Sequence, residues 1–208
     1  MAIKGVITGD IINSRKISDE LRNRFLDIIQ NLGDKLSYLS LGNIQSEIYR
    51  GDSFQILIED VSESLKIAVL LRSKLREYDL DARLAIGIGN ISFNNSSVVT
   101  SDGEAYINSG KCFDSIGKNR LVILTPWDEV NEELKVSTAF ADNIISKWTP
   151  TQSKVMFISI SEDNIQKEIA YKMGKSVQNI NKILMTARES LIKDYLNRYT
   201  QLISNITK

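Results

Sequence analysis

The feature that most constrains the fold is the order of apolar segments along residues 1–126. Continuously apolar, β-branched segments typical of buried strands alternate with segments whose apolar residues recur at helical spacing. The order is strand, helix, two strands joined at Gly51-Asp52, helix, strand, short helix and strand. Helices alternating with strands around one hairpin predict an α+β domain, a mixed sheet with helices packed on it. The order is typical of the ferredoxin-like split βαβ fold.

Helical spacing extends across two further regions. Residues 18–39 predict an amphipathic helix with Ser18 as its N-cap. After Pro150 the pattern becomes helical, although the apolar run within 151–160 also suits a strand. Two more helices are separated near Gly174, and the second is predicted to continue to Leu202. We therefore predict an α/β palm domain over 1–126, a connecting helix over 127–148 and a helical domain over 149–208.

Composition excludes several classes of site. The chain has no His, which removes Ser-His and Cys-His nucleophile pairs and His-ligated zinc. It has one Cys, which excludes an internal disulfide. We expect no haem, and any metal must be held by oxygen, which indicates Mg²⁺ or Mn²⁺. The N-terminal segment is too weakly apolar for a secretion signal, and no segment has membrane-spanning length, so we expect a cytoplasmic protein without membrane contact.

Two carboxylates form the first candidate site. Asp10 ends the first strand and Asp52 lies at the hairpin turn, so a hairpin beside the first strand places both at one edge of the sheet. Facing carboxylates repel and are costly to bury, and a divalent cation relieves both effects. We therefore predict a Mg²⁺ or Mn²⁺ site with Asp10, Asp52 and the backbone of Ile11 as ligands, holding a small nucleotide. The alternatives are a capping or turn role for Asp10 and a turn role for Asp52.

The corner after the first strand supplies candidate phosphate ligands. Backbone amides, the Ser14 hydroxyl and the Arg15 guanidinium are groups that bind phosphate oxygens. Asn13 lies at the same corner, and Arg50 places a further cation beside the hairpin turn.

A second motif, EIAYKMGKSVQNINKI, has the spacing of a helix-turn-helix. Ala170 permits close helix approach, Gly174 allows positive φ at the turn, and Ile180 and Ile183 face the core. The remaining side chains suit phosphates and base edges of DNA. These predicted DNA-binding residues are Lys175, Ser176, Gln178, Asn179, Asn181 and Lys182. The alternatives are a helical hairpin packed on the first domain and a protein-interaction module.

The charge distribution and the last helix indicate which binding partners to expect. From residue 145 onward ten Lys and Arg stand against five Asp and Glu, a net charge of +5, and the rest of this neutral chain carries −5. The basic tail favours a nucleic-acid partner. The last helix has more apolar surface than a minimal three-helix unit covers. We expect it either to form a homodimer, as palindromic DNA sites require, or to pack back on the first domain.

Four segments in order resemble the motifs of class III nucleotidyl cyclases and diguanylate cyclases: VITGDIINSR, IYRGDSFQILI, RLAIGIGNI and SDGEAYINSGKCFDSI. That resemblance implies metal binding by Asp10 and Asp52 and nucleotide contacts by Asn108 and Lys111. Over nearly the whole chain the sequence resembles the SatD family, through TGDIINSR, RGDSFQ, GEAYINSG and the region from WTPTQ to EIA. The SatD resemblance implies a cyclase-type palm followed by a helix-turn-helix.

The sequence also departs from active cyclases. Ile48 stands where the cyclase pattern has its base-reading Lys, and Cys112 stands where it has its transition-state Arg; Lys111 is one residue short. This combination favours ligand binding over turnover. We therefore expect a DNA-binding transcriptional regulator with a nucleotide-sensing or metal-nucleotide-sensing domain. The alternatives are a metal-dependent nucleotidyl cyclase or nucleotidyltransferase, and a protein-interaction module.

Overall fold

The structure, a computed structural model, describes residues 3–36, 42–49, 51–93, 98, 101–162 and 165–207. The protein is α+β, with a mostly antiparallel sheet and helices on both of its faces. The strands are β1 (Ile3–Ile11), β2 (Ile44–Tyr49), β3 (Ser53–Ile58), β4 (Ala82–Phe93), β5 (Asp102–Gly103) and β6 (Leu121–Leu124). The helices are α1 (Asp19–Gln30), α2 (Leu32–Leu36), α3 (Ser64–Arg76), α4 (Glu104–Asp114), α5 (Asp128–Ile145), α6 (Pro150–Glu162), α7 (Gln166–Met173), α8 (Val177–Ala187) and α9 (Glu189–Ile206).

The sheet has the strand order β2-β3-β1-β4-β5, and β6 also pairs with β4. β1 lies between β3 and β4 and pairs antiparallel with both. β6 runs parallel to β4. As predicted, the hairpin lies beside the first strand, and Asp10 is opposite Ser53 on one side and Arg83 on the other.

Both faces of the sheet are covered. Val6 and Leu57 pack under α4 with Ala105, whereas Ile7 and Ile56 belong to the main core on the opposite face. The alternating residues of β1 are therefore buried on both sides, as its central position requires.

Helix α4 lies very close to β4 because Gly87 has no side chain. A Cβ at Gly87 would lie 2.2 Å from the backbone nitrogen of Ser109 and 2.3 Å from the carbonyl oxygen of Ala105. The glycines of the predicted IGIG strand are thus explained by helix packing.

Two predicted helices are interrupted, and 151–160 is helical. The first helix ends at Gln30 with Asn31 as its C-cap, and α2 begins at Leu32. The helix predicted to run to Leu202 instead breaks at Arg188, which adopts φ 61° and ψ 42° and separates α8 from α9. No Gly or Pro marks that break. Ser18 caps α1 as predicted, its Oγ accepting a hydrogen bond from the Leu21 backbone nitrogen.

Helix α9 packs back on this chain's own first part. Tyr199 is fully buried, and its hydroxyl donates to the Val61 carbonyl oxygen at 3.1 Å. The hydroxyls of Thr138 and Tyr195 are 2.6 Å apart, and Tyr195 burial raises its pKa. Of the two arrangements expected for the last helix, packing back on the first domain is therefore the one observed within the chain. Within the part of the chain that the structure describes, no helix has the length and hydropathy to cross a membrane.

A buried ionic network joins α3, the start of β4 and α5. Arg72 is fully buried and donates two hydrogen bonds of 2.9 Å to the two carboxylate oxygens of Asp81 and one of 2.6 Å to Asp142. Arg76 and Arg120 also donate to Asp81 Oδ2, at 2.9 and 2.8 Å. Burial alone would lower the pKa of Arg72, and the two carboxylates outweigh burial and raise it.

Substituting Arg72 with Met should destabilise the protein by about 3–5 kcal/mol, because it leaves two buried carboxylates without their shared partner. Urea denaturation followed by circular dichroism measures the change. The matched control is Arg198→Met, which breaks an exposed ion pair with Glu133 and should change the unfolding midpoint little. Equal losses in the two variants would contradict the assignment.

Candidate functional site

A pocket of about 520 Å³ opens at the sheet edge where β1 ends and β4 begins. It is built from four stretches that are distant in sequence: the end of β1 with the corner after it, the hairpin turn, the start of β4 and the loop before β6. Its lining residues are Asp10, Ile11, Ile12, Asn13, Ser14, Arg15, Lys16, Asp52, Arg83, Lys118, Asn119 and Arg120. The structure therefore brings together six of the predicted metal and phosphate ligands.

The corner after β1 turns sharply because Asn13 adopts the left-handed conformation, with φ 57° and ψ 32°. Asn is among the residues that tolerate this conformation. A single 3₁₀ turn, Ser14–Lys16, follows, and the Ile12 backbone nitrogen donates to the Asp81 carbonyl oxygen at 2.9 Å. The corner is thus fastened to the start of β4 and presents Ser14 and Arg15 at the pocket.

Asp10 forms an ion pair with Arg83 across the β1–β4 register. Arg83 Nε donates to Asp10 Oδ1 at 2.9 Å, and Nη2 donates to Oδ2. Its guanidinium also lies 5.4 Å from the ring centroid of Phe113. The hydrogen bonds to Asp10 raise the pKa of Arg83, with burial opposing them.

Asp52 is held by the corner of the pocket. Ser14 Oγ donates to Asp52 Oδ2 at 2.7 Å, and the Asp52 carbonyl oxygen accepts from the Ile11 backbone nitrogen at 3.1 Å. Arg22 Nη2 in turn donates to the Ser14 carbonyl oxygen at 2.9 Å. Asp52 therefore joins the hairpin to the strand-to-helix corner, beyond the turn role that its sequence context alone would require.

Both carboxylates of the predicted metal site already accept hydrogen bonds from protein groups. Both oxygens of Asp10 accept from Arg83, and one oxygen of Asp52 accepts from Ser14. Among the residues that the structure describes, no group of three or more His, Cys, Asp or Glu is placed to hold a metal ion. A cation at Asp10 would have to displace the Arg83 guanidinium first. The predicted site with Asp10, Asp52 and the Ile11 backbone stays a prediction.

The sequence patterns missed most of the pocket's positive charge. Lys16, Arg83, Lys118 and Arg120 join the predicted Arg15, so five cations and two carboxylates line one cavity. The sequence offered one indication that Arg83 belongs to the site, because a cation begins an otherwise apolar strand that neighbours β1. The Lys118–Arg120 loop carried no local motif, because its proximity to β1 depends on β6 pairing with β4.

Two other predicted nucleotide ligands lie on α4 and do not line this pocket. Asn108 Nδ2 donates to the Ile88 carbonyl oxygen at 2.8 Å, which fastens α4 to the sheet, and Lys111 is exposed. Ile48 is partly buried and packs against the main core. Arg50 lies outside the described residues. The observed role of Asn108 is structural.

The predicted DNA-binding residues lie around the first half of α8. All six are exposed, whereas Ile180, Leu184 and Ala187 on the other face of the helix are buried. Gly174 has φ 61°, as the motif predicted. Ser176 Oγ accepts from the Asn179 backbone nitrogen at 3.2 Å and caps the helix. Asn181 Oδ1 accepts from Gln166 Nε2 at 3.4 Å, so the surface joins α7 to α8.

Comparison with known proteins supports a family assignment. The sequence model described as the SatD family matches residues 5–205. No curated protein matched the chain. A solved structure of a bacterial light-regulated adenylyl cyclase aligns with 59% of this chain and 75% of its own, at 14% identity and a TM-score of 0.38.

Cys112, which stands where the cyclase pattern has an Arg, should react slowly with thiol reagents. Burial raises the pKa of its thiol to about 11, and the thiolate is the reactive form. The rate with a disulfide reagent should therefore rise continuously up to pH 10. The denatured protein, whose thiol has its ordinary pKa of about 8.5, should reach a plateau instead. A native rate that levels off over the same pH range as that of the denatured protein would show that the thiol is not shielded.

Proposed function

The chain belongs to the SatD family, and from its exposed helix α8 and its cationic pocket we propose that it is a DNA-binding transcriptional regulator whose α/β part binds a small nucleotide. The observation that carries the DNA-binding half is the two-sided character of α8. One face is buried, and the other exposes Gln178, Asn179, Asn181 and Lys182, with Lys175 and Ser176 exposed directly before the helix.

The geometry around α8 supports a helix-turn-helix. α7 and α8 are joined by a short turn at Gly174, and the Lys175 backbone nitrogen donates to the Ala170 carbonyl oxygen at 3.0 Å. Ala170 is buried where the helices meet. α6 packs on α8 and completes a three-helix unit. In such a unit the second helix enters the major groove with its N-terminal residues at the base edges.

The strand order supports a cyclase-type, ferredoxin-like palm. β1, the β2–β3 hairpin and β4 lie in the order β2-β3-β1-β4, with α1 and α3 as the connections. This is the split βαβ order. The proposed nucleotide site is the pocket at the end of β1, where Ser14, Arg15 and their neighbouring amides supply phosphate-binding groups.

A line of contacts runs from the pocket to α8. Arg120 lines the pocket and pairs with Asp81, which also binds Arg76. Arg76 Nη2 donates to the Trp148 carbonyl oxygen at 2.5 Å, and Trp148 Nε1 donates to the Ala187 carbonyl oxygen at 2.8 Å. Ala187 ends α8. A ligand that moves Arg120 can therefore change the position of the DNA-binding helix through these contacts. By thermodynamic linkage, DNA binding must change the affinity for the ligand by the same factor.

DNA binding is tested with a gel shift on the promoter region of the protein's own gene and on a random-sequence duplex pool. The double variant Gln178→Ala, Lys182→Glu should lose about tenfold or more in affinity, because one contact to a base edge and one to a phosphate are removed. The matched control makes the same changes on exposed residues elsewhere, Gln201→Ala with Lys147→Glu.

DNA affinity that is weak, independent of sequence and equal in the two double variants would reject the DNA-binding half. That result is expected if the helix-turn-helix is instead a protein-interaction module.

Nucleotide binding is tested by thermal denaturation with ATP and GTP. A nucleotide at 100 times its Kd should raise the Tm by about 5–10 °C. Reversing two pocket charges, Arg15→Glu with Lys16→Glu, should abolish the shift, whereas Lys147→Glu outside the pocket should keep it.

Mass spectrometry of the same mixtures, with Mn²⁺ added, tests the enzyme alternative. A cyclic or linked nucleotide product would establish turnover and would reject the role of binding alone.

A further inference from the structure

The charges of the pocket are unbalanced. Arg83 is paired with Asp10, and Arg120 is paired with Asp81 outside the lining. Arg15, Lys16 and Lys118 make no ion pair within the described ranges. These three cations share the cavity with one further carboxylate, Asp52, so the lining as a whole holds five cations against two carboxylates and carries a net charge of +3, which favours an anionic occupant.

The magnitude of that charge indicates the class of anion. A phosphate group carries about −1.5 to −2 charges at pH 7. The net charge of +3 in the lining exceeds the charge of one phosphate group and matches a ligand with at least two.

Arg83 is paired with Asp10, one of the two carboxylates of the predicted metal site. Its guanidinium covers both oxygens of Asp10, and the ring of Phe113 lies along it. Its third nitrogen, Nη1, has no hydrogen-bond partner in the described part of the chain, and its side chain is 39% exposed. The guanidinium is thus fixed by Asp10 and retains a donor that can bind phosphate.

Building on the nucleotide pocket of the proposed function, we propose that the ligand carries a di- or triphosphate and binds in its metal-free form. Arg83 supplies the positive charge that a divalent cation supplies in other phosphate sites. Asp10 then serves to position Arg83 rather than to bind a metal.

Divalent metal should oppose this binding. Mg²⁺ bound to the polyphosphate lowers the negative charge that the pocket cations recognise, and Mg²⁺ at Asp10 must displace Arg83. Removing Arg83 should reverse the sign of the metal effect, because the freed Asp10 carboxylate then becomes available to a cation.

The experiment is calorimetric titration of the full-length protein with inorganic triphosphate, in EDTA and again with excess Mg²⁺. The native protein should bind in EDTA and bind several-fold more weakly with Mg²⁺. Arg83→Gln should weaken binding in EDTA by about tenfold or more, and Mg²⁺ should then strengthen it. ATP and GTP, titrated in the same way, distinguish recognition of a nucleotide from recognition of the phosphates alone.

Two control variants locate the effect. Arg198→Gln breaks an equivalent two-bond pair with Glu133 far from the pocket and should leave binding unchanged. Lys147→Glu reverses an exposed charge outside the pocket and should also leave triphosphate binding unchanged, which excludes attraction to surface cations in general. Circular dichroism and the Tm verify that each variant is folded.

Binding that requires Mg²⁺ or Mn²⁺ in the native protein would overturn this inference and leave the nucleotide pocket standing. Arg83→Gln with unchanged affinity in EDTA would overturn the role of Arg83. No binding of triphosphate, ATP or GTP under either condition would overturn both the inference and the nucleotide half of the proposed function.

Discussion

The arrangement of this protein depends on one buried cation. Arg72 has no exposed surface and lies between the carboxylates of Asp81 and Asp142, with Ser146 Oγ accepting from its Nη2 at 2.9 Å. A buried guanidinium is tolerated only when its charge is paired and its donors are satisfied. This pairing fixes α3 and α5 relative to Asp81, the residue that precedes β4. Neither helix can shift relative to the sheet without leaving a buried charge exposed or unpaired.

The same network fixes one wall of the pocket. Asp81 accepts from Arg120 through its side chain and from the Ile12 backbone through its carbonyl oxygen. The Arg120 backbone nitrogen donates to Asp142 Oδ2 at 2.7 Å. Burial raises the pKa of Asp81, but its three arginine partners outweigh that effect and lower it, so the carboxylate stays charged and paired with Arg120. Stability and ligand binding therefore share residues.

Sequence patterns were most informative where chemistry is local. The central strand, the hairpin at Gly51-Asp52, the cap at Ser18 and the turn at Gly174 each follow from residues adjacent in the chain. They failed where a local signal was missing. The break at Arg188 places a non-glycine residue in the left-handed region, and tertiary contacts of α8 and α9 outweigh its intrinsic cost.

The sequence alone determined the order of elements, the joint location of Asp10 and Asp52 at one sheet edge, and the outward face of α8, because all three depend on periodicity and turn chemistry. Only the tertiary structure decided what those carboxylates contact. Arg83 reaches Asp10 through strand pairing, and Lys118 and Arg120 reach the pocket because β6 joins β4. Charge pairing between distant segments depends on register and packing, and neither is written in any local stretch of sequence.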